Sequence, residues 1–430
     1  MRKLALHWQI LIAILLAGVV GFFININTTD TYTPGIFGAS FVEILGFFGT
    51  LFLNALKMII IPLIVSSIIV GVAGIGSGNN LGRLGGKTLL FYAVTTTAAI
   101  LIGLFVINVI QPGIQGGEPV GPALNLEAPA EEVQAKVGNR GVADVFNIFL
   151  RMVPDNVVGA AVDGNFLGLI FFAILFGFFM TRLSHEYSEP LYKFWDGVFH
   201  VIMKMTEWIM KFAPIGVFGL VAKVVAGTPS LREAAESLLI FSGAVVLALA
   251  IHAVVVLPLL LRFVGKVSPW KTFQGASKPM LMAFSTASSS GTLPVTMEAV
   301  EEKIGVSNNV SSFVLPLGAT VNMNGTALYE CAAAMFIAQA YGWDLGFGVQ
   351  FLIVITALLT SIGVAGVPSA SLVAIAIILK AVGLPMEAIG VLFVFDRILD
   401  MCRTSINVWG DTCCATIVAR LEGEETNVAA

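Results

Sequence analysis

Residues 284–297 read FSTASSSGTLPVTM, and residues 360–371 read TSIGVAGVPSAS. Each interrupts an apolar run with a cluster of serine, glycine, threonine and proline. Each is followed by a helix-length segment that is polar at its centre: LPLGATVNMNGTALYE at 315–330 after the first, FDRILDMCRTSINVWGDTCC at 395–414 after the second. Small polar clusters of this kind end helices and make turns, and in a water-soluble chain they mark surface loops. The composition removes that setting, because the chain of 430 residues is 57% hydrophobic and 12% charged, with a mean hydropathy of +0.92. These are the proportions of an all-α polytopic membrane protein. Backbone that is neither helix nor closed barrel is tolerated at membrane depth only where protein buries it or a cavity hydrates it. Two breaks at corresponding positions of a repeat therefore predict two re-entrant helical hairpins around the midplane site of a secondary transporter. Ordinary loops between short amphipathic helices are the competing reading.

Working outward, apolar runs long enough for the roughly 30 Å hydrocarbon core occur near 8–25, 44–74, 87–111, 157–182, 196–226 and 237–264, and predict six spans. The opening MRKLALHWQILIAILLAGVVGFFI resembles a signal peptide, but without an A-x-A-like site it reads as a retained first helix. Arg2 and Lys3, Arg83 and Lys87, Arg182 and Lys193, and Arg262, Lys266 and Lys271 all fall on the side that cytoplasmic N- and C-termini predict. Residues 116–150, polar and acid-rich, read as an outside loop. A net charge of −4, with basic residues in short loops, excludes a nucleic-acid surface. Cys331, Cys402, Cys413 and Cys414 have apolar helical neighbours, no C-x-x-C spacing and no histidine at ligand distance in sequence. They read as small core residues.

The segment 395–414 places unusual charge in a membrane helix. At about 100° per residue, with Asp400 as zero, Arg403 lies at about −60°, Asp396 at about −40°, Asn407 at about −20°, Asp411 at about +20° and Thr404 at about +40°. One face carries them all. Facing lipid, each charge would cost roughly 2.5–3.5 kcal/mol, so the face predicts a protein-lined site. An internal salt-bridge ladder between Asp400 and Arg403 is the alternative, and it leaves Asn407, Thr404 and Asp411 unexplained. A guanidinium offers a fork to a carboxylate, a carboxylate one turn away suits an ammonium, and Asn407 and Asp411 are hard oxygen donors for an alkali cation. The combination describes an acidic amino acid moving with cations.

These four segments, with KTLLFYAVTTT at 87–97 and LKMIIIPLIVSSIIVGVAGI at 56–75, resemble the signature regions of the glutamate transporter family, the dicarboxylate/amino acid:cation symporters. The resemblance covers essentially the whole chain. It implies eight transmembrane helices plus the two hairpins, in inverted repeats, and a homotrimer in a bacterial inner membrane working as an elevator. Residues 1–85 and 151–236 would be a trimerisation scaffold. Residues 86–115 and 237–425 would be the moving transport domain. It also implies that Arg403 binds the side-chain carboxylate and Asp400 the amino group. Thr326, Thr404 and Asn407 would take the remaining polar atoms, with Ser288, Ser289 and Val367 at the hairpin tips closing over the ligand. One sodium site maps to Gly318, Asn322, Asn407 and Asp411, and a second to Thr320, Met323, Ser361, Ile362 and Val364.

A third site, around Tyr92, Thr95 and Thr96, departs from the family pattern: NMNGT supplies Asn324 where the family has an aspartate, and an amide coordinates without neutralising. Glu330, in TALYE, stands where the family associates a glutamate with proton movement. The family's arginine partner for the binding aspartate is missing at Ala287 and Met401. Arg397, at about +60° on the same wheel, is the expected replacement. Within transport the runner-up is a C4-dicarboxylate carrier, which Asp400 opposes by like charge. A neutral amino acid carrier would leave Arg403 facing no anion. Against an intramembrane serine enzyme, no G-x-S-x-G is present and the histidines at 7, 185, 200 and 252 lie in other segments.

Overall fold

Long uninterrupted apolar runs become long helices, and each punctuation of the sequence becomes a break. The computed structural model describes residues 6–28, 35–36, 39–74, 79–126, 150, 152–163, 165–228, 230–343, 345–363 and 370–429. The first three helices are α1 (Leu6–Asn27), α2 (Phe41–Ala73) and α3 (Asn79–Ile110). Ser40 starts α2 with a reciprocal cap: its Oγ accepts from Glu43 N at 3.1 Å, and its own N–H donates to Glu43 Oε2 at 2.8 Å. After α3 a tight hairpin joins Ile114–Gln115 to Glu118–Pro119. Gly116 and Gly117 turn it at φ +60° and +89°, values that favour glycine.

The fourth apolar run divides where one helix was expected, into α4 (Val157–Asp163) and α5 (Phe166–Met180). Asn165 is the reason, since its Oδ1 accepts from Gly168 N at 3.2 Å and so starts a new helix. The fifth run is bent by 57° between α6 (His185–Met210) and α7 (Ala213–Gly227). Pro214 lies in the first turn of α7, where it cannot continue the preceding helix. The sixth run is α8 (Leu231–Ile251), a π turn at His252–Val256 and α9 (Leu257–Phe263).

Among the described residues, Trp8–Asn27, Phe41–Ala73, Arg83–Ile110 and Leu231–Phe263 are long and apolar enough to cross a membrane, with the bent α6–α7 pair as a fifth. The remaining expected spans are broken, short or too polar for that criterion. α10 (Pro269–Thr286) and α11 (Ser289–Ala299) pack together across a two-residue turn, Ala287 adopting φ +50° and Ser288 capping α11 by accepting from Gly291 N at 3.0 Å. α12 (Asn308–Val321) stops at Asn322 and Met323, and α13 (Asn324–Ala340) begins at once and is buried along its whole length. α14 (Phe347–Gly363) packs on α15 (Ala370–Val382), and a 3₁₀ turn at Met386–Leu392 leads into α16 (Phe393–Leu421). Val364 and Val367 lie outside the described residues.

The helices pack in two sets. α7 lies against α1 and α2, which also packs on α5 and α6. In the other set, α13 packs on α3, α8, α14, α15 and α16, and α16 packs on α8, α10, α11 and α12. α3 and α8 start before residues 86 and 237, so the expected segment boundaries fall inside helices.

Residues 422–429 tie the second set together at one end. Glu422 accepts from Lys87 Nζ at 2.6 Å and also pairs with Arg83. The Glu424 carboxylate accepts from Ser307 N at 3.0 Å, Asn427 N donates to Ile304 O at 2.8 Å, and Ser268 N donates to Val428 O at 2.8 Å. Both legs of the first hairpin are thus held at their base.

Candidate substrate and cation site

α16 carries a cluster of two acidic and two basic side chains in the protein interior. Asp396, Arg397, Asp400 and Arg403 are all nearly inaccessible, and Arg403 is wholly so. Burying an ion is tolerable only when it is paired, and the cluster pairs itself. Arg403 Nη2 donates to Asp396 Oδ1 and to Asp400 Oδ1, each at 3.1 Å. Arg397 Nη1 stands 3.5 Å from Asp400 Oδ2. Two carboxylates and two guanidiniums balance in number, yet not in hydrogen bonding: among the described residues, Arg403 Nε and Nη1 and Arg397 Nε have no partner. The Arg403 guanidinium also lies over the Tyr329 ring, 3.8 Å from its centroid, a cation–π contact that fixes its plane.

The wheel therefore placed the face correctly, and both readings of it contain part of the structure. The ladder exists, and it leaves two donors of Arg403 unsatisfied. Thr404 Oγ1 donates to Asp400 O at 2.8 Å, holding the next turn. Asn407 connects α16 to the broken helix: its Nδ2 donates to Thr326 Oγ1 at 3.0 Å and approaches Met323 Sδ at 3.4 Å, and its Oδ1 accepts from Gly325 N at 2.8 Å. Gly325 permits the approach, since a Cβ there would lie 2.8 Å from Arg403 O.

One turn further, Asn322 Nδ2 donates to Asp411 Oδ1 at 2.8 Å, while Asn322 Oδ1 has no partner. A Cβ on Gly318 would lie 2.3 Å from Asp411 Oδ1 and 2.5 Å from the Tyr92 hydroxyl, so Gly318, Asp411 and Tyr92 meet at one point. Tyr92 donates to Val314 O at 3.0 Å. Thr96 Oγ1 donates to Asn324 Oδ1 at 2.7 Å, Thr95 Oγ1 approaches it at 3.5 Å, and Asn324 Nδ2 has no partner. The structure thus joins Thr95, Thr96 and Asn324, and sets the Tyr92 hydroxyl beside Gly318 and Asp411. Among the described residues no three His, Cys, Asp or Glu side chains converge. Carbonyl, hydroxyl and amide oxygens with a single carboxylate suit an alkali cation rather than a transition metal.

Ser289 is buried at the start of α11, and Ser288 is half-buried at its cap. Thr320 Oγ1 bonds to Leu317 O at 3.0 Å and Ser361 Oγ to Leu358 O at 2.8 Å, so both hydroxyls face their own helices. Ile362 is placed only as backbone at the end of α14. Glu330 is fully buried on α13. Its Oε2 accepts from Thr360 of α14 at 3.1 Å, and its Oε1 has no partner. Trp409 follows Asn407 on α16, its indole N–H donating at 3.1 Å to Ala253 O, in the π turn, and its ring edge-on to Phe273 at 5.7 Å.

Sequence reasoning assigns no individual role to Asp396 or Tyr329, which hold Arg403 together with Asp400. Asp396 was visible as an acid seven residues before Arg403 on one helical face. Tyr329 had no signal, because it comes from another helix.

A helical membrane protein whose broken helices converge on a buried charged cluster has the construction of a secondary transporter. The chain belongs to the sodium:dicarboxylate symporter family, whose model matches residues 6–421. It is similar to the proton/glutamate-aspartate symporter of Escherichia coli (strain K12), with 34% identity over 98% of this chain and 93% of that protein. The proton/sodium-glutamate symport protein of Geobacillus stearothermophilus is 34% identical over 99% of this chain and 96% of its own. Neutral amino acid transporter B(0) of Oryctolagus cuniculus is 37% identical over 84% of this chain and 71% of its own.

Proposed function

We propose that this protein is a secondary active symporter that imports aspartate or glutamate, driven by cation gradients. The observation that carries the reading is Arg403, a fully buried guanidinium with Nε and Nη1 unpartnered, one turn from Asp400. A substrate carboxylate satisfies those donors, and a substrate ammonium meets Asp400. The names of the two bacterial relatives, which pair glutamate with protons or with protons and sodium, support the same assignment. The relative from Oryctolagus cuniculus shares the family without an acidic substrate in its name, so the reading leans on the bacterial relatives and on the charged pair together.

Sodium ions enter as co-substrates. Asp411, Asn322, Asn407 and the Gly318 backbone supply one oxygen set, in which Asn322 Oδ1 is already without a donor. Thr320, Met323, Ser361, Ile362 and Val364 belong to a second. The Tyr92, Thr95, Thr96 and Asn324 group is a weakened third, because threonine hydroxyls already occupy the Asn324 oxygen. Glu330 is a proton carrier, its carboxyl facing the α14 arm of the second hairpin. Arg397 takes the place of the missing partner of Asp400. Since it also neutralises Asp400, it favours a second reading, in which a C4-dicarboxylate shares the site.

The two packing sets support a scaffold of residues 1–85 and 151–236 and an elevator-type transport domain of residues 86–115 and 237–425, arranged as a homotrimer. The home is a bacterial inner membrane with cytoplasmic termini. Reconstituted uptake of labelled aspartate under separately imposed sodium and proton gradients tests the function. Competition by unlabelled glutamate and not by serine is expected. Competition by succinate equal to that of glutamate assigns the site to dicarboxylates, and serine competing as well as glutamate refutes the acidic reading.

A further inference from the structure

We propose that Asp396 is the positioning residue that aims Arg403, and thereby sets the selectivity for an acidic over an amide side chain. The inference rests on the reading of Arg403 as the carboxylate anchor. A guanidinium binds a carboxylate best through two parallel N–H bonds, one of which comes from the nitrogen that both forked edges share. In Arg403 that nitrogen is Nη2, and it is held from two sides, by Asp396 Oδ1 and Asp400 Oδ1, each at 3.1 Å. The other two nitrogens, Nη1 and Nε, are buried without partners.

Such an arrangement makes entry of substrate an exchange. A zwitterion brings an ammonium to Asp400 and a carboxylate to Arg403 together. As the ammonium engages Asp400, the Nη2 hydrogen directed there becomes available to complete a fork with the incoming carboxylate. Asp396 keeps the other Nη2 hydrogen throughout, so the guanidinium neither follows Asp400 nor swings out of plane. Tyr329, its ring 3.8 Å from the guanidinium carbon, closes one face and limits rotation about the remaining axis. Without Asp396 the only acid on Nη2 among the described residues is Asp400, and Arg403 is drawn onto the group that must receive the ammonium. The anchor then loses its aim at the side-chain carboxylate, while ligands without that carboxylate lose little. Asp396 touches neither substrate handle; it acts through Arg403.

The test compares affinities of purified protein for aspartate and asparagine by competition in saturating cation. Asp396→Asn keeps the shape and removes the charge. It is expected to lower the preference for aspartate over asparagine by about tenfold to a hundredfold, the range of a charged hydrogen bond in a buried site. Asp396→Glu keeps the charge but advances Arg403 on a longer arm, and it is expected to change the aspartate-to-glutamate preference by about threefold or more. A merely structural Asp396 moves all ligands in proportion. Parallel losses, or no loss, in Asp396→Asn overturn the proposal. Should that variant not fold, an unchanged aspartate-to-glutamate ratio in Asp396→Glu overturns it. Arg403→Lys is the control: if it retains the wild-type preference for aspartate over asparagine, it is the reading of Arg403 that fails.

Discussion

Gly318→Ala adds one carbon at the point where α12, α16 and α3 meet. That Cβ would lie 2.3 Å from Asp411 Oδ1 and 2.5 Å from the Tyr92 hydroxyl, so each must retreat by about 1 Å to reach ordinary contact at 3.4 Å. Neither is free to do so cheaply. The same Asp411 oxygen accepts from Asn322 Nδ2 at 2.8 Å, and the Tyr92 hydroxyl donates to Val314 O at 3.0 Å. Overpacking of this kind costs about 1–3 kcal/mol, and a stretched hydrogen bond adds about 0.5–1.5 kcal/mol. Alanine in a helix returns about 1 kcal/mol over glycine. The net loss of stability is modest, about 0.5–3.5 kcal/mol on those ranges. The cation set suffers more, because ligand oxygens tolerate displacements of only about 0.2 Å. The concentration of sodium giving half-maximal aspartate uptake in proteoliposomes is therefore expected to rise at least about tenfold. A variant with wild-type sodium dependence would refute the placement of Asp411 in the cation set. So would a wild type whose uptake ignores sodium altogether.

Asn324→Asp restores a charge beside Thr95 and Thr96, and is expected to steepen the dependence of flux on sodium; an unchanged stoichiometry contradicts the weakened third site. Glu330→Gln removes the titrating carboxyl while keeping a partner for Thr360, and is expected to flatten the pH dependence of uptake measured between pH 5 and 8; a wild-type profile rejects the proton role. At the end of α16, the hydrogen bond from Lys87 holds the Glu422 carboxyl below the ordinary glutamate value against the opposing effect of burial, with Arg83 adding to the lowering. A carboxylate lowered on folding stabilises fully above its unfolded value and loses that contribution as pH falls through the folded one. Glu422→Gln is thus expected to lower the thermal midpoint slightly at pH 7, with the difference from wild type vanishing in acid. A difference that persists undiminished at pH 3 argues against ionic holding.

Much of the architecture was legible because a membrane makes sequence punctuation costly. The runs 8–25, 44–74 and 87–111 became α1, α2 and α3, since the serine and threonine hydroxyls within them bond carbonyls of the preceding turn of their own helix and leave it unbroken. The break at FSTASSSG became the turn between α10 and α11 because Ser288 supplies a cap and Ala287 takes the positive φ. The polar face of α16 followed from period alone. Contacts between helices did not. Tyr329 over Arg403, Thr360 on Glu330 and the Tyr92 hydroxyl beside Asp411 each require a second helix whose rotation the pattern leaves free. The π turn at His252–Val256 has a cause that apolar periodicity does not register: Pro258 has no N–H to offer the preceding turn, and Ala253 O accepts from Trp409 on another element instead.

That π turn has an optical consequence. Trp409 lies between Asn407 and Asp411 in the sequence of α16, buried, with its indole N–H committed to Ala253 O and its ring against the first hairpin arm. A chromophore so enclosed emits according to the few groups around it rather than to bulk solvent. On the proposed reading, ligand and cation engage Asn407 and Asp411 on the face of α16 opposite the indole, so the tryptophan shares their helix while its hydrogen-bond partner Ala253 lies on another element. Occupancy of the proposed site is then expected to change the native emission of the protein, and a chain with its other five tryptophans replaced by phenylalanine tests it by titration with aspartate and sodium in either order.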